Sequence, residues 1–249
     1  GINQIYKDNK TPLKGLVLDL RDDPGGLLNA AVGVSAAFLP ANTLVVYTEG
    51  RTPDAKMQLT SIPENYVREP GKPDPLKSLV PEARTVPIVI LVNGGTASAS
   101  EIVTGALQDH KRAIVVGTQT FGKGSVQSVL PLGSAGGIKL TTARYFTPKG
   151  TSIQAKGITP DVEVEEIAVA GDERKPLTMP VRIREADLEH HLSNPNGDKP
   201  GKVVPADKPA TPDKTDEAPV NPREPNPKTD NQLAQALNIL KVQQILQKP

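Results

Sequence analysis

Two residues suited to nucleophilic chemistry stand 25 positions apart in this 249-residue chain, each on a turn of small residues that follows an apolar run. Ser98 sits in Asn93-Gly94-Gly95-Thr96-Ala97-Ser98-Ala99-Ser100-Glu101, after Val86-Pro87-Ile88-Val89-Ile90-Leu91-Val92. Lys123 sits in Phe121-Gly122-Lys123-Gly124-Ser125-Val126-Gln127, after Ala113-Ile114-Val115-Val116. A hydroxyl attacks a carbonyl when a neighbouring base takes its proton, and an amine serves as that base only while neutral. Apolar walls favour the neutral form because they deny an ammonium its hydration. Phe121 and Val115-Val116 offer such walls, and Gln127 can orient the amine without adding a charge.

Each residue also has a plain structural explanation. Ser98-Ala99-Ser100-Glu101 fits a capping box, in which serine and glutamate satisfy amides at a helix start. Local sequence alone favours the cap, and Ser100 is a second candidate hydroxyl. Position favours chemistry, because a serine at a strand-to-helix turn exposes its hydroxyl and the first helical amides can hold an oxyanion. Lys123 read plainly is an exposed charge in a glycine turn. Read as a phosphate binder, residues 117–123 fit the first seven positions of a P-loop. That match fails at Gly124, where Ser or Thr should bind the metal, and Ser125 onward alternates like a strand.

Histidine, the usual partner of a serine, occurs three times. His110 lies at a polar helix end beside Lys111 and Arg112, and His190-His191 lie in a charged segment. None follows a strand, which argues against a Ser-His-Asp triad and against a metal site. A third cluster, Asp19-Leu20-Arg21-Asp22-Asp23-Pro24-Gly25-Gly26, reads either as a turn with a local Arg21–Asp pair or as the source of an oxyanion donor.

The elements that position these residues alternate early in the chain. Strands are expected near 15–20, 43–48, 86–92 and 113–116, with helices over 27–39 and 100–110. Residues 51–85 mix charge, Pro and Gly and read as a surface excursion. Beyond Lys123 the pattern turns to the alternation of antiparallel strands. The class is α/β with a β-rich second half, and residues 1–168 form one core. Residues 169–194 read as a charged extension. Nine prolines in 195–227, with hardly a large apolar side chain, make 195–228 a disordered linker. Residues 229–249 form an amphipathic helix capped by Asp230, bearing Leu233, Ala236, Leu237, Leu240, Ile245 and Leu246. Such a helix docks on its own core or on a partner subunit.

With 29 basic and 28 acidic residues and no basic stripe, nucleic acid is excluded as a partner. No apolar run reaches the roughly 18 residues that span a bilayer, and with no cysteine there is no disulfide or thiolate site.

Residues 18–26, 93–101 and 120–127 resemble the three signature blocks of the carboxyl-terminal processing peptidases, Ser-Lys serine proteases related to the tail-specific proteases. Arg144-Tyr145-Phe146-Thr147-Pro148-Lys149-Gly150 and Gly157-Ile158-Thr159-Pro160-Asp161 extend the likeness over about 10–168, and 230–247 is similar to the family's closing helix. The resemblance implies a crotonase-like core and a serine endopeptidase cutting proteins near their carboxyl ends. It implies Ser98 as nucleophile, Lys123 as base, Gln127 as its orienter and Glu101 as a supporting acid. The oxyanion hole would use the Ala99 amide with that of Gly25 or Gly26. No metal or organic cofactor is implied. Expected partners are protein or peptide substrates and a PDZ domain in the full-length chain, after which this sequence begins, with an oligomer or adaptor also compatible. The expected location is periplasm or cell envelope, with membrane association through an N-terminal segment. The competing reading is a catalytically silent peptide-binding or scaffold domain of the same fold.

Overall fold

The computed structural model describes residues 1–9, 11–69, 71–133, 136–166, 183–197 and 226–246. The expected linker over 195–228 lies outside the described residues except at its two ends, as does 169–182 of the charged extension.

Four apolar runs build a parallel sheet of β1 (Leu16–Asp19), β4 (Ile88–Val92), β5 (Ala113–Gly117) and β8 (Val162–Glu163), in the order β1-β4-β5-β8. All five residues of β4 are buried, as a strand covered on both faces requires. Side chains alternate across the pleat. Ile88, Ile90, Val92 and Val115 enter the main core, while Val89, Leu91 and Val116 face Leu233, Ala236 and Leu240 of α5 (Asn231–Leu246).

The main core is closed by α2 (Leu28–Ala36) and α4 (Ala99–Asp109), which pack on each other. Ile102, Val103, Ala106 and Leu107, the face anticipated from helical spacing, are all buried there. A second sheet, antiparallel throughout, runs β3-β2-β7-β6 through β3 (Gln58–Thr60), β2 (Leu44–Gly50), β7 (Gly137–Phe146) and β6 (Ser125–Pro131). Val45, Val46 and Tyr145 join it to the same core. Two further α-helices are short, α1 (Ile2–Asp8) and α3 (Pro63–Tyr66).

Residues 51–85 are more than a surface excursion. They supply β3 and α3, and Leu59, Tyr66, Leu76 and Leu79 pack on the core. Their apolar residues are spread among prolines and charges, so no period betrays them.

Helix α5 packs over β4 and β5, and its two ends reach the residues that flank β1. Its head meets Arg21 beyond the strand, and near its end Gln244 Nε2 donates to Lys14 O at 3.1 Å. Ile245 and Leu246, expected on its apolar face, are exposed. A 16-residue helix is about 24 Å long, whereas a five-residue strand spans about 17 Å, so the last turn outruns the sheet. Among the described residues no helix is long and apolar enough to cross a membrane.

Candidate active site

Parallel strands present their connecting loops on one edge, and ligands of open α/β sheets gather outside the carboxyl ends of the strands. Three loops meet there: residues 20–27 after β1, 93–98 after β4 and 118–124 after β5. Backbone bonds tie them together. Ala97 N donates to Asp23 O at 2.9 Å, and Phe121 N donates to Thr96 O at 3.0 Å. Thr96 Oγ1 donates to Leu20 O at 2.7 Å.

Ser98 stands where β4 turns into α4, with φ 55° and ψ −115°. For a residue with a Cβ such a conformation costs about 1–3 kcal/mol and persists only where its surroundings hold it. The capping box that local sequence favours is present at the start of α4, with Glu101 Oε2 accepting the Ser98 N–H at 2.8 Å. Ser100, the other candidate, is 5 % exposed and faces inward.

Glu101 is fully buried and accepts four hydrogen bonds. Oε1 takes Thr120 Oγ1 at 2.5 Å and Gly122 N at 2.7 Å; Oε2 takes Ser98 N at 2.8 Å and Lys123 N at 2.9 Å. One carboxylate oxygen thus joins the backbone of the serine to that of the lysine. Burial pushes the carboxyl up to about 7, against the pull of the Thr120 hydroxyl and the three amides.

The loop carrying Lys123 is pressed against a second buried side chain. Gly124 N donates to Gln154 Oε1 at 3.1 Å, and a Cβ on Gly124 would lie 2.2 Å from Gln154 N. Gly124 is there because a neighbouring backbone passes at contact distance, not because a phosphate does. Gln154 Nε2 donates onward to Glu185 Oε1 at 2.9 Å, and Glu185 N donates to Phe121 O at 3.0 Å.

The Gly25-Gly26 turn supplies the remaining part. Gly25 has φ +85°, and a Cβ there would sit 2.6 Å from both Ala97 O and Ala99 N. Its own N–H is taken by Asp23 Oδ1 at 2.9 Å. Among the described residues, the N–H groups of Gly26 and Ala99 make no hydrogen bond to protein.

The structure thus brings Ser98, Ala99, Glu101, Gly25 and the Lys123 backbone to one edge. It does not join the working ends of the dyad: no hydrogen bond links the Ser98 hydroxyl to the Lys123 amine. Lys123 is half-buried and Gln127 exposed. Gln127 follows a register shift in the pairing of β6 with β7, between Val126 and itself. Thr120, Gln154, Asp23 and Asp230 were not anticipated as part of the site. Asp23 and Thr120 lay within motifs, and Asp230 was read only as the cap of the closing helix; Gln154 has no signal in its own neighbourhood.

A strained serine, two amides without a protein partner and an amine-bearing loop meet at the carboxyl edge of the parallel sheet of this mixed α/β fold. Residues 1–164 match the description Peptidase family S41, and the chain belongs to that family. It is 52 % identical over 154 residues to a carboxy-terminal-processing protease of Bartonella bacilliformis, covering 62 % of this chain and 32 % of that protein. It is 39 % identical over 170 residues to a carboxyl-terminal-processing protease of Synechocystis sp., covering 68 % of this chain and 35 % of the other. Among solved structures it is similar to a photosystem II D1 C-terminal processing protease, with 34 % identity, a TM-score of 0.50 and coverage of 65 % of this chain and 36 % of that one. The chain spans about a third of the length of these relatives.

Proposed function

We propose that the chain is the catalytic part of a serine endopeptidase that cuts proteins near their carboxyl ends. The observation that carries this reading is the strained Ser98 at the strand-to-helix turn, its amide tied through Glu101 to the Lys123 loop. In the proposed reaction Lys123, as a neutral amine, takes the Ser98 proton while Oγ attacks the scissile carbonyl. Gln127 orients the amine. The carbonyl oxygen becomes an oxyanion held by the N–H groups of Ala99 and Gly26, since the Gly25 N–H is already engaged. The Lys123 ammonium then protonates the leaving amine, and an acyl-serine remains. Water attacks that ester, gives its proton to Lys123 and releases the new carboxyl end, with Ser98 recovering its proton.

The same reading extends to a crotonase-like core, a PDZ domain elsewhere in the full-length protein, protein or peptide substrates and work outside the cytoplasm, in periplasm or cell envelope. It also keeps the division into a core over 1–168, a charged extension over 169–194, a linker over 195–228 and a closing helix. The likeness to carboxyl-terminal-processing proteases supports it.

A Ser98→Ala variant is expected to release no product from an unfolded protein substrate. Its stability should fall by no more than the ~1 kcal/mol of a lost cap. Lys123→Arg should be equally inactive, since arginine holds its proton. Undiminished proteolysis by Ser98→Ala overturns the proposal. The open contact between Ser98 and Lys123 favours a second reading, a silent peptide-binding domain. In that case wild type and Ser98→Ala bind the same peptides equally and neither cleaves.

A further inference from the structure

Arg21 precedes the turn that carries Gly25 and Gly26, and its guanidinium is saturated. Nε donates to Asp19 Oδ1 at 2.9 Å. One terminal nitrogen donates to Asp19 Oδ2 at 2.6 Å and Asp230 Oδ2 at 2.7 Å. The other donates to Asp230 Oδ1 at 3.0 Å and Gln232 Oε1 at 3.1 Å. A guanidinium has five N–H donors, and all five are spent on protein. Arg21 therefore has nothing left for a substrate carboxylate, and its role is to hold.

What it holds is strained. Asp22, the next residue, has φ 57°. Its N–H donates to Asn93 Oδ1 at 3.0 Å, Asp23 O accepts Ala97 N, and Asp23 Oδ1 accepts Gly25 N. Four residues separate Arg21 from Gly26, and among them Asp22 and Asp23 are each bonded to the serine loop. The far end is equally anchored. Asp230 Oδ1 also accepts Leu233 N at 3.0 Å as the cap of α5, and Gln232 Nε2 donates to Val164 O at 2.7 Å. Leu233, Ala236 and Leu240 hold the helix on the sheet. Residues 230–246 lie beyond the family-matched 1–164.

We propose that Asp230, aided by Gln232, is a positioning residue: the head of α5 fixes Arg21, and through it the turn that aims the Gly26 N–H at the oxyanion. This rests on the peptidase reading of the site. Both carboxylates keep the guanidinium charged despite its partial burial, and Arg21 in turn holds Asp230 below the usual carboxylate range although burial opposes it.

The test is Asp230→Asn in the full chain, which keeps a cap for α5 but removes the charge. Peptide cleavage should lose about tenfold to hundredfold in kcat, short of the hundredfold to thousandfold of deleting an oxyanion donor, with KM within about twofold. Arg21→Gln should fall similarly, and the double variant should be no slower than Arg21→Gln alone. Amide hydrogen exchange should quicken over 19–27 and stay unchanged over 88–92. Leu240→Ala, which removes core packing ten residues from Asp230 and leaves the Asp230 and Gln232 contacts to Arg21 in place, should keep wild-type kcat at temperatures where it is folded. Wild-type kcat in Asp230→Asn, a change confined to KM, or an equal kcat loss in folded Leu240→Ala overturns the proposal. If wild type cleaves nothing, the peptidase reading fails by itself. Unchanged exchange over 19–27 in Asp230→Asn would then overturn the clamp as well, and faster exchange would uphold it.

Discussion

Glu101 is the residue on which two loops depend, and its chemistry is a contest between burial and hydrogen bonding. An ionised carboxylate has acceptor sites for all four donors it meets, but it sits where water cannot reach. Burial prevails and raises the carboxyl to about 7. In the unfolded chain the group titrates in the ordinary range near 4.5, so between 4.5 and 7 the folded state holds the extra proton. Protonation therefore favours folding, and this contribution is complete below 4.5 and lost as pH rises through 7. Thermal unfolding should show wild type losing stability between pH 5 and pH 8 relative to Glu101→Gln, in which the group cannot titrate. At any pH the glutamine variant should be the weaker protein. Its amide nitrogen donates where the carboxylate accepted, leaving two of the four donors unpaired at about 1–3 kcal/mol each. An unfolding free energy equal to wild type at pH 7 would contradict this.

At the scale of the element, the loop after β1 shows why adjacent glycines are not equivalent. Gly25 adopts φ +85° with Ala97 O and Ala99 N at 2.6 Å from where a Cβ would stand, while nothing lies within 4 Å of one on Gly26. Gly25→Ala should cost at least the ~1–2 kcal/mol of a left-handed Cβ, push the turn away from Ala99 and lower kcat sharply. Gly26→Ala keeps its N–H and should change unfolding free energy by less than about 1 kcal/mol. Denaturant titration of the two variants decides between this view and one in which the glycines are interchangeable. The same element marks how far sequence reasoning reaches. Asp19 to Gly26, Asn93 to Glu101 and Thr120 to Gln127 were legible because small polar residues follow apolar runs, a pattern written locally. The chemistry of Ser98 was not settled there, because a capping serine and a nucleophile share the same local sequence, and only the fold shows Ser98 held at φ 55° and tied through Glu101 to the Lys123 loop. Gln154 and Asp230 were illegible as site residues. Each acts through one contact with a loop far away in the chain, and such contacts leave no period or spacing behind.

For the whole molecule, α5 is at once a wall of the core and a part of the site. Leu240 is 5 % exposed in the cluster with Val89 and Leu91. Leu240→Ala should cost about 2–4 kcal/mol, the range for buried leucines that leave a partly collapsed cavity. Urea denaturation measures it, and a loss under about 0.5 kcal/mol would mean that the helix is not integral to the fold. The two-sheet architecture was foreseeable in kind, from the switch between buried runs and alternating strands. That the helix would reach back to the first strand was not, because its composition states an apolar face without stating which surface it covers.

The bond between Arg21 and Asp230 spans 209 positions, and this separation has a consequence in time. Synthesis runs from the N-terminus, so Ser98 and Lys123 emerge more than a hundred residues before Asp230 does. Contacts between such distant positions form late, after the loop between them has closed. A growing chain would therefore hold the proposed nucleophile and base long before it holds the clamp. On the proposed role of Asp230, full cutting power waits for α5, and a copy not yet made that far is poorly equipped to attack its neighbours.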